Sequence, residues 1–288
     1  MTLDDWYGAG RRMPVELRRR TWEIFVRVAG AGDWCTLFHG FPTASWDWHL
    51  VWPTLVARRR VLAFDFLGFG ESDKPADHTY DIVEQAELAI ALWKAHGVAA
   101  TDLVVHDYGV SVAQEILARH AEGRLGVALG SVTFLNGGVY PDLHRPQPAQ
   151  LMLLDPERGP QLGDLITAES FAIGLRATYA RQPPDEELAA QWETVRRRDG
   201  QRIGYRLIQY IRDRQHHAAR WVGALEQTTV PLHFIWGMLD PVSGGHMAER
   251  IAARMPASDR VFLDDVGHWP QIEAPDVVQA QLARILTP

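Results

Sequence analysis

Cysteine is nearly absent from this chain of 288 residues: Cys35 stands alone, so no internal disulfide can staple the fold, and a lone thiol inside an apolar run fits a reducing compartment. Long hydrophobic runs are missing too. No segment reaches the roughly 18 uninterrupted apolar residues of a membrane helix. The N-terminus, MTLDDWYGAG, is acidic and lacks the positive stretch and apolar core of a secretion signal, so the expected location is the cytoplasm. Lysine is scarce: of 29 basic residues only Lys74 and Lys94 are lysine, a bias toward arginine that fits a GC-rich bacterial genome. The formal charge of -7 argues against the broad cationic face that nucleic acid requires. The triplets Arg18 to Arg20, Arg58 to Arg60 and Arg196 to Arg198 read as solvated faces.

What is present is an ordinary globular composition, 47% hydrophobic and 23% charged, in a length that suits one large domain or a core carrying an insertion. Strand-like runs begin at residues 22–28 and 33–40 and continue in RRVLAFDFLGFG. A helical period spans residues 80–97, where apolar positions recur at three- and four-residue steps before Gly97. A short apolar strand then leads to HDYG, a helix runs to Gly123, and SVTFLNGG supplies another strand. Strands alternating with helices imply βαβ units and a mostly parallel, doubly wound α/β sheet. The rhythm stops near Val139 and resumes at PLHFIWG. The expected division is therefore a core over residues 1–138 and 223–288, with a helical lid inserted over 139–222. No internal repeat interrupts it.

Asp107 falls between the apolar strand residues Leu103 to Val105 and a helix that starts near Gly109. This is the setting of a nucleophile elbow, a strained strand-to-helix turn that lifts one side chain above the sheet. The G-x-S-x-G frame reads here as Val105, His106, Asp107, Tyr108, Gly109, with aspartate in place of serine. An aspartate capping a helix N-terminus would also fit that junction. Two further titratable residues follow at strand ends: Asp240 after FIWG, and His268 in DDVGHWP. Nucleophile, acid and histidine thus come in the order used by α/β-hydrolases. Asp264 and Asp265 compete for the acid role but lie too close to His268 in sequence to reach its ring easily. Ser111, on the following helix, is poorly placed as a nucleophile. The loop His39, Gly40, Phe41, Pro42 follows a strand, and the N–H groups of Phe41 and Tyr108 are candidates for an oxyanion hole. His39, Trp46 and Trp269 are candidate pocket residues.

At these residues the chain resembles a known family. HGFP, DFLGFGESDKP, HDYG, LDP and GHWP together resemble the α/β-hydrolases with an aspartate nucleophile, the epoxide hydrolases and the haloalkane and haloacetate dehalogenases. HDYG followed by VAQEILAR, NGG, HRP, QYI, RWVGAL, PVS and PQIE is similar to the mesoderm-specific transcript branch of the epoxide hydrolases, over most of the chain from about residue 36. The resemblance implies an α/β-hydrolase fold with a helical lid and an enzyme in which Asp107 forms an alkyl ester that water, activated by His268 and Asp240, hydrolyses. It places Tyr210, in LIQYIRD, where the family carries its second lid tyrosine, a proton donor to the epoxide oxygen. The stretch expected to hold the first, Gln147 to Asp155, has no tyrosine; Tyr140, His144 and Tyr179 are the nearby candidates.

Two other functions remain open. A dehalogenase would use the same triad, although Tyr108 stands where haloalkane dehalogenases typically place a halide-binding tryptophan. A silent binding protein would keep the pocket without the ester. The expected partners are a small apolar substrate and water, on a monomer or homodimer, with no nucleic acid and no membrane. No cofactor is expected: His216 and His217 lack a carboxylate or thiol at metal-ligand spacing, and GFG lacks the spacing of a dinucleotide fingerprint.

Overall fold

In the computed structural model, which describes residues 1–287, helix α1 (Leu3–Gly8) leads into a hairpin of β1 (Arg11–Leu17) and β2 (Arg20–Ala29). The hairpin turns on Arg18 and Arg19, both at positive φ. β2 matches the expected early strand. β1 was not expected: charged residues and Pro14 mask it, and it sits at the sheet edge, where a proline is tolerated because one side of the strand needs no partner.

The apolar runs become β3 (Trp34–Phe38), β4 (Arg60–Phe64), β5 (Ala100–His106), β6 (Ala128–Leu135), β7 (Leu232–Gly237) and β8 (Asp259–Leu263). The sheet has eight strands in the order β1-β2-β4-β3-β5-β6-β7-β8. From β4 through β8 the pairing is parallel, and β2 joins β4 antiparallel. Parallel strands are covered on both faces, and β5 shows this by alternation. Leu103 and Val105 join the cluster beneath α3 (Ile82–Ala95) and α4 (Tyr108–Ala121), while Val104 joins the cluster on the opposite face with Trp6, Trp52 and Val278. The helices of that second layer are α1, α2 (Trp52–Val56) and, at the C-terminus, α14 (Pro275–Ile285).

Between β6 and β7 the chain leaves the sheet for α5 (Pro148–Leu154), α6 (Gly159–Leu162), α7 (Ala168–Arg176), α8 (Asp185–Arg196), α9 (Gly204–Leu207), α10 (Tyr210–His216) and α11 (Ala218–Gln227). The last of these packs on α4: Trp221 Nε1 donates to Glu115 Oε2 at 2.8 Å, and Arg220 pairs with the same carboxylate. Residues 218–222 therefore lie against the core rather than over it. α12 (Gly245–Arg254) and α13 (Pro270–Glu273) complete the chain order. Among the described residues, no helix is long and apolar enough to cross a membrane.

Candidate active site

The strand β5 ends at His106 and α4 begins at Tyr108, leaving Asp107 as the single residue of the turn, at φ 44° and ψ -100°. A non-glycine residue held in so sparsely populated a conformation costs about 1–3 kcal/mol and persists only where its surroundings dictate it. The surroundings are tight. A Cβ on Gly109 would stand 2.5 Å from the Phe38 carbonyl oxygen, and one on Gly40 would stand 2.8 Å from His106 Nδ1. Asp107 N–H donates to the Asn136 carbonyl at 2.8 Å, and Gly109 N–H to the His39 carbonyl at 3.0 Å. The side chain is buried against the loop after β3, where Phe41 N–H donates to Asp107 Oδ2 at 3.0 Å.

Asp240 and His268 come from the loops after β7 and β8. His268 Nδ1 lies 2.8 Å from Asp240 Oδ2, so the ring has its second nitrogen, Nε2, left for chemistry. The acid is held by four donors in all, because Asn136 Nδ2 at 2.9 Å, Ser243 Oγ at 2.6 Å and Val242 N–H at 2.7 Å also bond its carboxylate. The histidine loop is held by the buried carboxylate of Glu273, which accepts from the N–H groups of Gly267 at 2.9 Å and Trp269 at 3.0 Å. Asp107 and His268 line one cavity of about 380 Å³. Its other walls are largely apolar, including Phe41, Phe69, Leu153, Leu175 and Trp269.

Charges around the cavity are mutually supporting. Burial works against the imidazolium of His268, but the carboxylates of Asp240 and Asp107 outweigh it and raise its pKa to about 9. Burial likewise works against ionised Asp107, yet His268, Arg214, His106 and the Phe41 N–H together hold its carboxyl below the ordinary value. Asp240 is held lower still, against burial, by His268 and its hydrogen-bond donors.

The other expected residues divide. Phe41 and Trp269 line the cavity. Tyr108 opens α4, its ring packed against Phe66, Phe69 and Tyr210. Tyr210 is buried between Phe41 and Tyr108, and its hydroxyl accepts from Gln150 Nε2, a cavity residue, at 3.4 Å. Burial and the neighbouring Asp107 push the Tyr210 phenol well above its ordinary pKa, so it is a protonated donor. His144 has both ring nitrogens buried without a partner. Its pKa falls to about 4 through burial and the nearby positive charge of Arg214.

Four expectations are corrected. His39 supports the loop rather than lining the pocket: its Nδ1 bonds the Gly40 carbonyl at 2.8 Å and its Nε2 accepts from Phe66 N–H at 3.0 Å. Trp46 stacks on His49 and donates to Glu187, and is not among the residues that line the cavity. Tyr140 points away, its hydroxyl on Glu226 at 3.0 Å. Tyr179 stacks on Trp269 with its hydroxyl bonded to Gln191, and is not among the residues that line the cavity. Three of these four are aromatic side chains placed by packing, which sequence spacing does not reveal.

Three residues of the site went unforeseen. Asn136 joins the elbow to the acid loop, since its side chain bonds Asp240 and both main-chain groups of Gly237 while its carbonyl holds Asp107. Glu273 sits in PQIE, where an acidic residue at the end of a one-turn helix reads as a surface position. Arg214 lies in the arginine-rich IRDR of the helical stretch, and nothing in the sequence separates it from its solvated neighbours. Among the described residues, no group of three or more histidine, cysteine, aspartate or glutamate side chains could hold a metal ion.

An eight-stranded, mostly parallel sheet with an acid at a strained strand-to-helix elbow, followed by an Asp–His pair on later strand ends, defines an alpha/beta hydrolase. The model of the alpha/beta hydrolase family matches residues 37–281, and the chain belongs to that family. It is 39% identical to the human mesoderm-specific transcript homolog protein over 282 residues, 95% of this chain and 84% of that protein, which places it in the same branch. A haloalkane dehalogenase variant from Bradyrhizobium elkanii superposes with a TM-score of 0.78 at 20% identity, over 96% of each chain. The epoxide hydrolase CorEH superposes with a TM-score of 0.73 at 18% identity, over 96% of this chain and 98% of that one. At such identities these two likenesses speak to the fold alone.

Proposed function

We propose that the protein hydrolyses a small apolar epoxide to a diol through an ester on Asp107. The observation that carries the reading is the pairing at one cavity of an ionised carboxylate, fixed by the Phe41 N–H, with the Asp240–His268 pair. With Oδ2 held by Phe41, Oδ1 attacks a ring carbon as the C–O bond breaks. The developing alkoxide takes its proton from Tyr210, whose oxygen accepts from Gln150 and so has its own hydrogen to give. Of the three candidates for a second donor, only His144 lies near the nucleophile.

Hydrolysis then follows from electrostatics. In the resting site Asp107 helps keep His268 protonated; esterification removes that negative charge, so the imidazolium becomes easier to deprotonate, and its proton returns through water to the Tyr210 phenolate that ring opening left. Neutral His268 takes a proton from water, the hydroxide adds to Cγ, and the charge developing on Oδ2 is met by the N–H groups of Phe41 and Tyr108. Collapse expels the alkoxide bearing Oδ1, which takes the proton back from His268, and the Asp107 carboxylic acid so formed gives its own proton to His268, restoring the carboxylate and the imidazolium. A cytoplasmic setting suits this chemistry, which uses water alone as cosubstrate.

Halide release from a haloalkane would share every step but the first leaving group. The epoxide reading is favoured because the tryptophan that lines the cavity, Trp269, has its N–H engaged by Thr178 Oγ1 at 2.8 Å, which leaves it unable to cradle halide. The test is a single turnover of an aryl epoxide in heavy-oxygen water. Label should enter the Asp107 carboxylate and be absent from the diol; label in the diol would mean direct attack by water.

A further inference from the structure

Arg214 carries a charge into the interior: its side chain is 1% exposed. A guanidinium so buried costs several kcal/mol unless its partners compensate. Those partners are all parts of the nucleophile's surroundings. Nη2 donates to the main-chain oxygen of Asp107 at 2.9 Å and lies 3.6 Å from Asp107 Oδ1. Nε donates to Ser111 Oγ, on the first turn of α4, at 2.5 Å. The guanidinium carbon stands 4.5 Å from the centre of the Tyr210 ring. Room for the group is made by Gly138, where a Cβ would meet Nη1 at 2.5 Å. A residue of α10 thus reaches under the elbow and binds both the strained main chain and the proton-donating phenol.

We infer that Arg214 is a positioning residue that fixes the attacking oxygen of Asp107 and keeps it ionised inside an apolar cavity. The inference rests on the reading of Asp107 as nucleophile. Phe41 N–H occupies Oδ2, so Oδ1 is the oxygen free to attack, and Arg214 is the cation on that side. The other titratable groups around the carboxylate are His268 from the loop after β8, His106 from β5, and His144 and Tyr210 from the stretch between β6 and β7, with Asp240 behind His268. Of the groups that can carry positive charge there, an imidazolium can lose it near neutral pH, whereas guanidinium groups in general do not. Its charge also favours the end of the cycle. Ester formation removes the partner of the guanidinium, and hydrolysis restores it, so Arg214 should speed ester breakdown more than attack.

The decisive experiment needs no substrate. Protein labelled with carbon-13 at the aspartate carboxyl is titrated by NMR, and Asp107→Asn identifies the resonance. Arg214→Met should move the Asp107 titration up by about one pH unit or more, and Arg214→Lys should return part of the change. Gly138→Ala, which displaces the guanidinium without removing its charge, should give an intermediate shift and serves if the methionine variant does not fold. An Asp107 titration unmoved in the folded variants overturns the inference. Because turnover of Asp107→Asn is measured separately, loss of the nucleophile reading and loss of the Arg214 role give different results: retained turnover sinks the first, an unmoved titration the second.

Discussion

Asp107 holds two unfavourable positions at once, a left-handed backbone and a buried charge, and both are compensated by neighbours distant in sequence. Replacing it by alanine should abolish turnover while leaving the fold, since no other group in the cavity is placed to form the ester; activity retained in a steady-state assay would contradict this. In the proposed mechanism Tyr210 makes a separable contribution. Tyr210→Phe should lower the rate of epoxide opening by about 100-fold, the usual size of a lost proton donor, with little change in ester hydrolysis, and rapid-quench measurement of the two steps checks it. In the proposed mechanism the pH dependence of the second step belongs to His268. Its pKa of about 9 includes the push from ionised Asp107. In the ester that push is gone, so the acid limb of ester hydrolysis should lie below about 9, and a limb at or above it would contradict the charge cycle.

The elbow is a property of three elements in contact, β5, α4 and the loop after β3, and its tolerance is set by glycine. Gly109→Ala would force a methyl group to 2.5 Å from the Phe38 carbonyl oxygen. The expected result is a loss of more than about 2 kcal/mol with collapse of activity, readable by denaturant titration. Asn136→Ala should cost roughly 1–3 kcal/mol, because Gly237 and Asp240 lose buried hydrogen-bond partners together. At this scale the sequence was legible where elements are regular. The parallel strands and α3, α4 and α14 follow from apolar runs and helical periods, and Asp107, Asp240 and His268, which the structure brings together, stood out as candidates because each follows a strand. β1 was hidden by its charge and proline. Asn136 and Arg214 were hidden for another reason: their roles exist only through contacts between residues about 100 apart, 104 from Asn136 to Asp240 and 107 from Arg214 to Asp107. Tyr140 and Tyr179 misled because nearness in sequence to the expected stretch does not set the direction of a ring: one faces Glu226 and the other Gln191.

The whole molecule stores its pH response in a few buried groups. Asp107 and Asp240 have depressed folded pKa values, so they contribute stability that is present above the unfolded carboxylate value and lost as pH falls through their folded values. His268, raised from 6.5 to about 9, contributes stability that is full below 6.5 and lost as pH rises through about 9. Glu187, whose burial raises it from 4.5 to about 8, favours the protonated native state, so its contribution also fades as pH rises from 4.5 to about 8. His39, His49, His106 and His144, which burial depresses to about 3 or 4, act in the opposite sense and lose stability as pH falls below 6.5, so the melting temperature should fall in acid as well as from neutral pH toward about 8. Glu187→Gln, which can keep the bond from Trp46, should flatten part of that fall in thermal scans across pH. The most direct test of the covalent mechanism is to trap its intermediate. With His268→Gln, which leaves attack intact and blocks hydrolysis, the protein is incubated with an aryl epoxide and its intact mass recorded. Gain of the whole epoxide, mapped to Asp107, is the predicted result; a bromoalkane that instead leaves its alkyl group there would make the enzyme a dehalogenase, and no adduct from either would contradict the covalent mechanism.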